Sequence, residues 1–183
     1  VVVMPGNHEQ YSNADWKAIA GTDRQGFMVL NNSLFLFLDN YKVEETATDP
    51  SDGTYTRTDV AYIKEMMNQY PSCDVYLISH MFEMEQESAE FKTLVANNDR
   101  IKGLFEGHTH NAATLTPEGL GGKTIAQTGT FAHLDDDGDS FWGFRELVIK
   151  QDSAYSNFIQ FKSSEGKVDN ADVTDHTRTY YIS

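Results

Sequence analysis

The sequence predicts one mixed α/β domain, with helices and buried strands first and a meander of strands afterwards. Three observations carry that expectation. Apolar residues recur at helical spacing between Thr58 and Tyr70, at Val60, Ile63, Met67 and Tyr70. The segment Asp74–Ser79 holds a continuous apolar run of strand length, the kind buried on both faces of a sheet. Beyond residue 110, strand-like segments alternate with turns and no helical period returns. A chain of 183 residues, 39% of them hydrophobic, has apolar material for one sizeable core. It is too short for two ordinary domains.

Taken in order, Val1–Met4 reads as a buried strand that ends at Pro5-Gly6. A short helix is expected over Ala14–Ala20. Phe27–Leu30 and Ser33–Leu38 follow as two strands joined at Asn31-Asn32, as in a hairpin. Asp39–Arg57, with Pro50, Asp52 and Gly53, reads as a polar surface loop. The helix of Thr58–Tyr70 stops at Pro71 and leads to the strand Asp74–Ser79. Ser88 suits the N-cap of a second helix running through Phe91, Leu94 and Val95. Gly103–Glu106 is a short strand. The later strands are expected over Ala112–Thr116, Lys123–Thr128, Gly143–Lys150, Tyr155–Lys162 and Thr177–Ile182, with Asp135–Ser140 as a loop tip.

Charge and cysteine content narrow the function. Lys and Arg total 14 against 28 Asp and Glu, for a net charge of −14. A surface that acidic repels phosphate backbones and anionic lipid, which argues against general nucleic-acid binding and against membrane binding. A local cation reverses that field where it sits. The longest apolar run, Leu34–Leu38, is far too short to span a bilayer. With one cysteine, Cys73, no intrachain disulfide forms and the compartment stays unread. Cys73 has no basic neighbour in sequence and reads as a structural thiol.

The chemistry lies in the histidines. Four of the six fall in loops directly after apolar strands: His8 after Val1–Met4, His80 after Val75–Ser79, and His108 and His110 after Gly103–Glu106. Loops at the carboxyl ends of strands in open α/β sheets converge on ligands. Imidazole nitrogen and amide oxygen both suit divalent transition metals. A single histidine after a strand is more often a hydrogen-bonded structural residue. Four such residues, two of them flanked by Gly6 and Gly107, form a pattern. The two glycines are expected to permit tight turns that aim consecutive side chains apart. His133 and His176 lack this context.

Pro5-Gly6-Asn7-His8-Glu9, Ile78-Ser79-His80 and Gly107-His108-Thr109-His110 resemble, in order, the third, fourth and fifth motifs of the calcineurin-like metallophosphoesterases. Those motifs are a Gly-Asn-His-Asp/Glu box, a histidine ending a hydrophobic strand, and a Gly-His-x-His box. Gly143–Leu147 resembles the later sheet of that family, and the likeness covers nearly the whole chain. It implies an αββα sandwich. It also implies that Asn7, His80 and His108 hold one divalent metal ion and that His110 holds its neighbour. His8 takes the place of the histidine that steadies the phosphate and protonates the leaving oxygen. The implied activity is hydrolysis of a phosphomonoester or phosphodiester by a metal-bound hydroxide, with manganese, iron or zinc equally suited to the donors.

The family's first two motifs, an Asp-x-His and a Gly-Asp box, have no counterpart here. Asp39, Asp135 and Asp137 match neither by order nor by context. Residues 1–183 are therefore expected to form a single domain that is the C-terminal portion of such a phosphoesterase, with the N-terminal part of the fold absent. The expected site holds at most one ion, weakly, and gives very low phosphatase activity. The alternative is a non-catalytic remnant that serves a structural or partner-binding role. An apolar first strand without sheet neighbours also predicts a homo-oligomer formed through that edge.

Other patterns fail on chemistry. Pro117–Thr124 nearly spells a phosphate-binding loop, but Pro117 replaces the first glycine and no helix is expected after it, so it reads as a hairpin turn. Asp135–Asp139 lacks carboxylates at the first and twelfth positions of a calcium loop. A barrel amidohydrolase using His108-Thr109-His110 would need its His-x-His early and many later barrel strands. The substrate is not legible.

Overall fold

Two adjacent asparagines set the first strand pair. Asn31 and Asn32 both take left-handed φ values, 48° and 62°, the geometry of the tight hairpin turn whose twist matches its strands. Strand β1 (Gly26–Leu30) therefore folds back antiparallel on β2 (Ser33–Leu38), with Leu30 opposite Ser33. The computed structural model describes residues 1–42, 53–130, 143–150, 153–160 and 177–181. Before the hairpin lies α1 (Asn13–Ala20), capped by the Ser12 hydroxyl and closed by left-handed Gly21. The short β3 (Tyr41–Lys42) and β4 (Thr54–Tyr55) pair antiparallel within the segment read as a surface loop.

The remaining elements are α2 (Val60–Gln69), β5 (Asp74–Ser79), α3 (Ala89–Asn97), β6 (Ile101–Glu106), β7 (Thr114–Leu115), β8 (Ile125–Gln127), β9 (Gly143–Ile149), β10 (Ser153–Gln160) and β11 (Thr177–Tyr181). Ser88 caps α3 by accepting from the Phe91 N–H, as its sequence position implies. Asp59 caps α2 through the Tyr62 N–H. At the other end of α2, Arg100 donates to the Met67 carbonyl of the last turn and to the Tyr70 and Cys73 carbonyls just beyond it.

Alternation along the strands builds the layers. The main sheet runs β1-β2-β5-β6-β8-β7, with β2, β5, β6 and β8 parallel and the two edge strands antiparallel. Leu34, Leu36, Leu38, Val75 and Leu77 point to one face and bury Val60, Ile63, Met66 and Met67 of α2 with Phe91 and Val95 of α3. Tyr76, Phe105 and Ala126 point to the other face and meet Ala154, Leu147 and Ile149 of the antiparallel sheet β11-β10-β9. Helices, main sheet and second sheet thus give a mixed α/β sandwich, as the sequence predicts.

One expectation is corrected. Val1–Met4 is not a strand, and Val1, Val2 and Val3 are exposed. A strand needs a neighbour for its backbone N–H and C=O groups, and an apolar sequence alone supplies none. Met4 and Pro5 instead border the carboxyl ends of β5 and β6. The hairpin reading of Pro117–Thr124 agrees with the structure. That segment joins the antiparallel pair β7 and β8 through left-handed Gly119, Gly121 and Gly122, and a strand follows it. Asp135, Asp137, His133 and His176 lie outside the described residues.

Candidate metal centre

The His80 and His108 loops are neighbours because their strands are. β5 and β6 run parallel with Ile78 opposite Phe105, so both chains leave the sheet at the same edge. The Gly107 N–H donates to the His80 carbonyl at 2.9 Å, and the Thr128 N–H donates to the Glu106 carbonyl at 2.8 Å. Below them the Glu106 carboxylate, 3% exposed, accepts from the Phe82 N–H at 3.0 Å and from Gln127 Nε2 at 2.9 Å. Burial raises the Glu106 carboxyl above its ordinary value, and the two donors oppose that rise. One side chain therefore ties the segment after His80 to the segment before His108.

The Asn7 loop is assembled separately. The Gly6 N–H donates to Glu9 Oε2 at 2.7 Å, and Gln10 Nε2 donates to the Asn7 carbonyl at 2.7 Å. Arg24 then anchors the whole turn. Its Nη1 donates to the Glu9 and Tyr11 carbonyls, while Nε and Nη2 form a two-point ion pair with Asp39 just beyond β2. Asp39 is thus engaged with Arg24.

These supports bring three of the sequence-predicted residues together. His80 Nε2 lies 3.0 Å from Asn7 Oδ1 and 3.0 Å from His108 Nδ1. The His80 and His108 rings meet edge to face at 5.0 Å, and the Tyr41 ring meets His80 at 5.7 Å. Burial pushes His80 down to about 4, and the charges of His108, His8 and His110 press the same way. His8, His108 and His110 therefore lie within electrostatic reach of the His80 ring. His8 itself is exposed, and His110 is half-buried on the far side of Thr109.

Backbone geometry departs from one expectation. Gly107 does not take a left-handed conformation; His108 and His110 do, at φ 62° and 55°. Each such residue costs on the order of 1 kcal/mol, and that kind of strain collects at functional sites. Gly6 is required for a different reason from a turn. A Cβ there would stand 2.8–2.9 Å from three atoms of the His80 ring. Close approach decides the residue, and the sequence carries no signal that separates the two roles.

The likeness to known proteins is one of shape. No protein-family model and no curated protein match the sequence. Among solved structures, a dimetal phosphatase from Danio rerio superposes with a TM-score of 0.63 at 11% identity, over 87% of this chain and 69% of that one. The fold is metallophosphoesterase-like. A single-mutant Vps29 from Entamoeba histolytica aligns over 88% of this chain and 61% of that one, at 13% identity and a TM-score of 0.33.

Within this metallophosphoesterase-like fold, the described residues contain no group of three or more His, Cys, Asp or Glu side chains placed to hold a metal ion. The cluster at hand is two imidazoles and an amide. Imidazole nitrogen and amide oxygen are both donors to divalent cations and these three lie together, so the residues present suit one such ion. Residues that sequence reading passed over are the ones that hold the loops: Arg24, Asp39, Glu106 and Arg145. Arg145 Nη2 donates to the Ala112 carbonyl and Nε to that of Gln127, which ties the strand after His110 to the second sheet. Only the folded contacts single them out for that role. No described helix is long and apolar enough to cross a membrane.

Proposed function

We propose that this chain carries one half of a phosphoesterase site, with Asn7, His80 and His108 as the ligands of one divalent ion. The convergence of Asn7 Oδ1 and His108 Nδ1 on His80 Nε2, both at 3.0 Å, is the observation that supports it. When bound, a divalent cation there supplies charge stabilisation for a phosphate group and a water activated near neutral pH. Neutral Asn and His donors leave the cation's charge uncancelled, which favours an anionic ester despite the acidic chain. His80, kept neutral by burial, offers its nitrogen without first losing a proton. His8, exposed beside Asn7, is the group to steady the phosphate and hand a proton to the leaving oxygen. His110 is the ligand of a neighbouring ion. The substrate is a phosphomonoester or phosphodiester.

A metal titration tests this reading. Calorimetry with Mn²⁺ and Zn²⁺ is expected to give one weak site per chain, lost in His80→Asn and His108→Asn. Turnover of p-nitrophenyl phosphate is expected to be very low and to fall further in His8→Asn. No metal binding at millimolar concentration defeats the proposal, and ordinary phosphatase rates defeat the half-site.

A second reading, a non-catalytic fold serving a structural or partner-binding role, draws on the missing third acidic or imidazole ligand among the described residues. The metal titration separates the two. Saturable uptake of an ion favours the first reading and none at millimolar concentration favours the second.

A further inference from the structure

We infer that the cavity beside the His80 and His108 loops, walled by Met81–Glu85 and by Leu115 and Pro117, binds a cationic, N–H-bearing organic group. In a phosphate ester this group would be the amine-bearing arm, and that part of the inference rests on the phosphoesterase reading. The cavity holds about 380 Å³, within the range of small-molecule sites. Its position is set by sequence. Met81 follows His80 directly and Thr109 separates His108 from His110, so the cavity adjoins the histidine loops along the chain.

Composition defines the occupant. Met81, Met84 and Leu115 make an apolar wall in which two thioethers adapt to an aromatic or alkyl body. Three carboxylates, Glu83, Glu85 and Glu106, line the same space, and no Lys, Arg or His does. Three acidic side chains with no basic one beside them give the space a negative field. A cation is drawn in by that field and a phosphate is turned away from it, so a zwitterionic ester is oriented with its phosphate toward the histidines.

Gln127 supplies an independent observation. It lines the cavity, is 4% exposed, and its Oε1 has no hydrogen-bond partner. Its Nε2 is committed to the Glu106 carboxylate, which sets the amide's orientation and leaves the oxygen as an unused acceptor. Buried acceptors are rarely left this way, and an N–H donor is the ligand feature that answers one.

The test uses metal-free protein labelled with ¹³C at the methionine methyls, with Met81→Leu and Met84→Leu to assign the signals. Benzylamine, benzyl alcohol and phenylacetate are titrated at pH 7. Benzylamine is expected to shift the Met81 and Met84 methyls saturably and at least 10-fold more tightly than benzyl alcohol, with no shift from phenylacetate. Glu85→Gln and Leu115→Arg, both at exposed positions, are expected to weaken benzylamine at least 10-fold without altering the remaining methyl signals. Equal binding of benzyl alcohol overturns the cationic assignment. Absence of any shift at these two methyls overturns the site, and the metal titration is unaffected by that result. Benzylamine binding in a protein that takes up no Mn²⁺ or Zn²⁺ upholds the cavity and overturns only its role as the arm of a phosphate ester.

Discussion

The imidazole of His80 lies across Gly6 so closely that three of its ring atoms would be 2.8–2.9 Å from a Cβ at that position. The glycine and the histidine are 74 positions apart, and the ring sits where only a residue without a Cβ leaves room for it. Gly6→Ala is expected to displace the ring, because Pro5, Gly6 and Asn7 are all buried and the loop is pinned through Arg24. Overpacking of this kind costs about 1–3 kcal/mol. The melting temperature should drop accordingly, and calorimetric Mn²⁺ binding should weaken by an order of magnitude or more. Unchanged metal affinity in a folded Gly6→Ala variant would show that the His80 position does not matter to the site.

The His80 ring also sets a pH dependence. Its folded pKa of about 4 lies below the ordinary 6.5, so between those values the unfolded chain takes up a proton that the folded chain refuses. Stability from this residue is fully present above 6.5 and is lost as pH falls toward 4. Over that window the loss is on the order of 2 kcal/mol, allowing for the part of the ring that water reaches. Urea denaturation of metal-free protein at steps from pH 7 to 4 should therefore be steeper in the wild type than in His80→Asn. Carboxylates titrate in both proteins and drop out of the difference. Parallel profiles would remove the desolvated histidine from the account.

Fold and site were legible in the sequence to different depths. Alternation and helical spacing are local, and they placed β2, β5, α2, α3 and the Asn31-Asn32 turn, because burying one face is what those patterns do. The Asn7, His80 and His108 cluster was legible only through a family resemblance joined to strand-end position. The supports were not legible at all. Arg24 meets Asp39 across 15 positions and Glu106 meets Gln127 across 21, and nothing local distinguishes a buried charge from a solvated one. Val1–Met4 misled for the converse reason, since apolar character does not provide a hydrogen-bonded neighbour.

The Arg24–Asp39 pair gives a stability prediction. Both side chains are largely buried, with the guanidinium Nε 2.6 Å from Asp39 Oδ2. Removing one partner leaves an uncompensated charge, which costs about 3–5 kcal/mol. Asp39→Asn and Arg24→Met are each expected to show that loss in urea denaturation, and the double variant should lose less than the sum. Arg24→Met should also loosen the Asn7 loop, because the Glu9 and Tyr11 carbonyls lose their donor. Fully additive losses would mean that the two charges do not depend on each other.

The last prediction concerns self-association. With Val1–Met4 outside any sheet, a strand open to pairing is β1, at one edge of the main sheet. Phe27, Met28, Val29 and Leu30 are exposed in succession, at 44%, 38%, 40% and 54%, and Gly26–Leu30 carries no charge. Natural edge strands are usually blunted by a lysine, a proline or a bulge, and this one has no such residue. An antiparallel partner from a second copy would complete its backbone hydrogen bonds and cover the apolar strip. The net charge of −14 opposes the encounter, so added salt should strengthen the association by screening it. Sedimentation velocity at tens of micromolar is expected to show a dimer that grows between 50 and 500 mM NaCl, over which the screening length shortens about threefold. Val29→Lys places a charge on the exposed edge and should leave a monomer at every salt concentration, with its melting temperature within a few degrees of the wild type. A wild-type monomer at 500 mM NaCl would rule out pairing through β1.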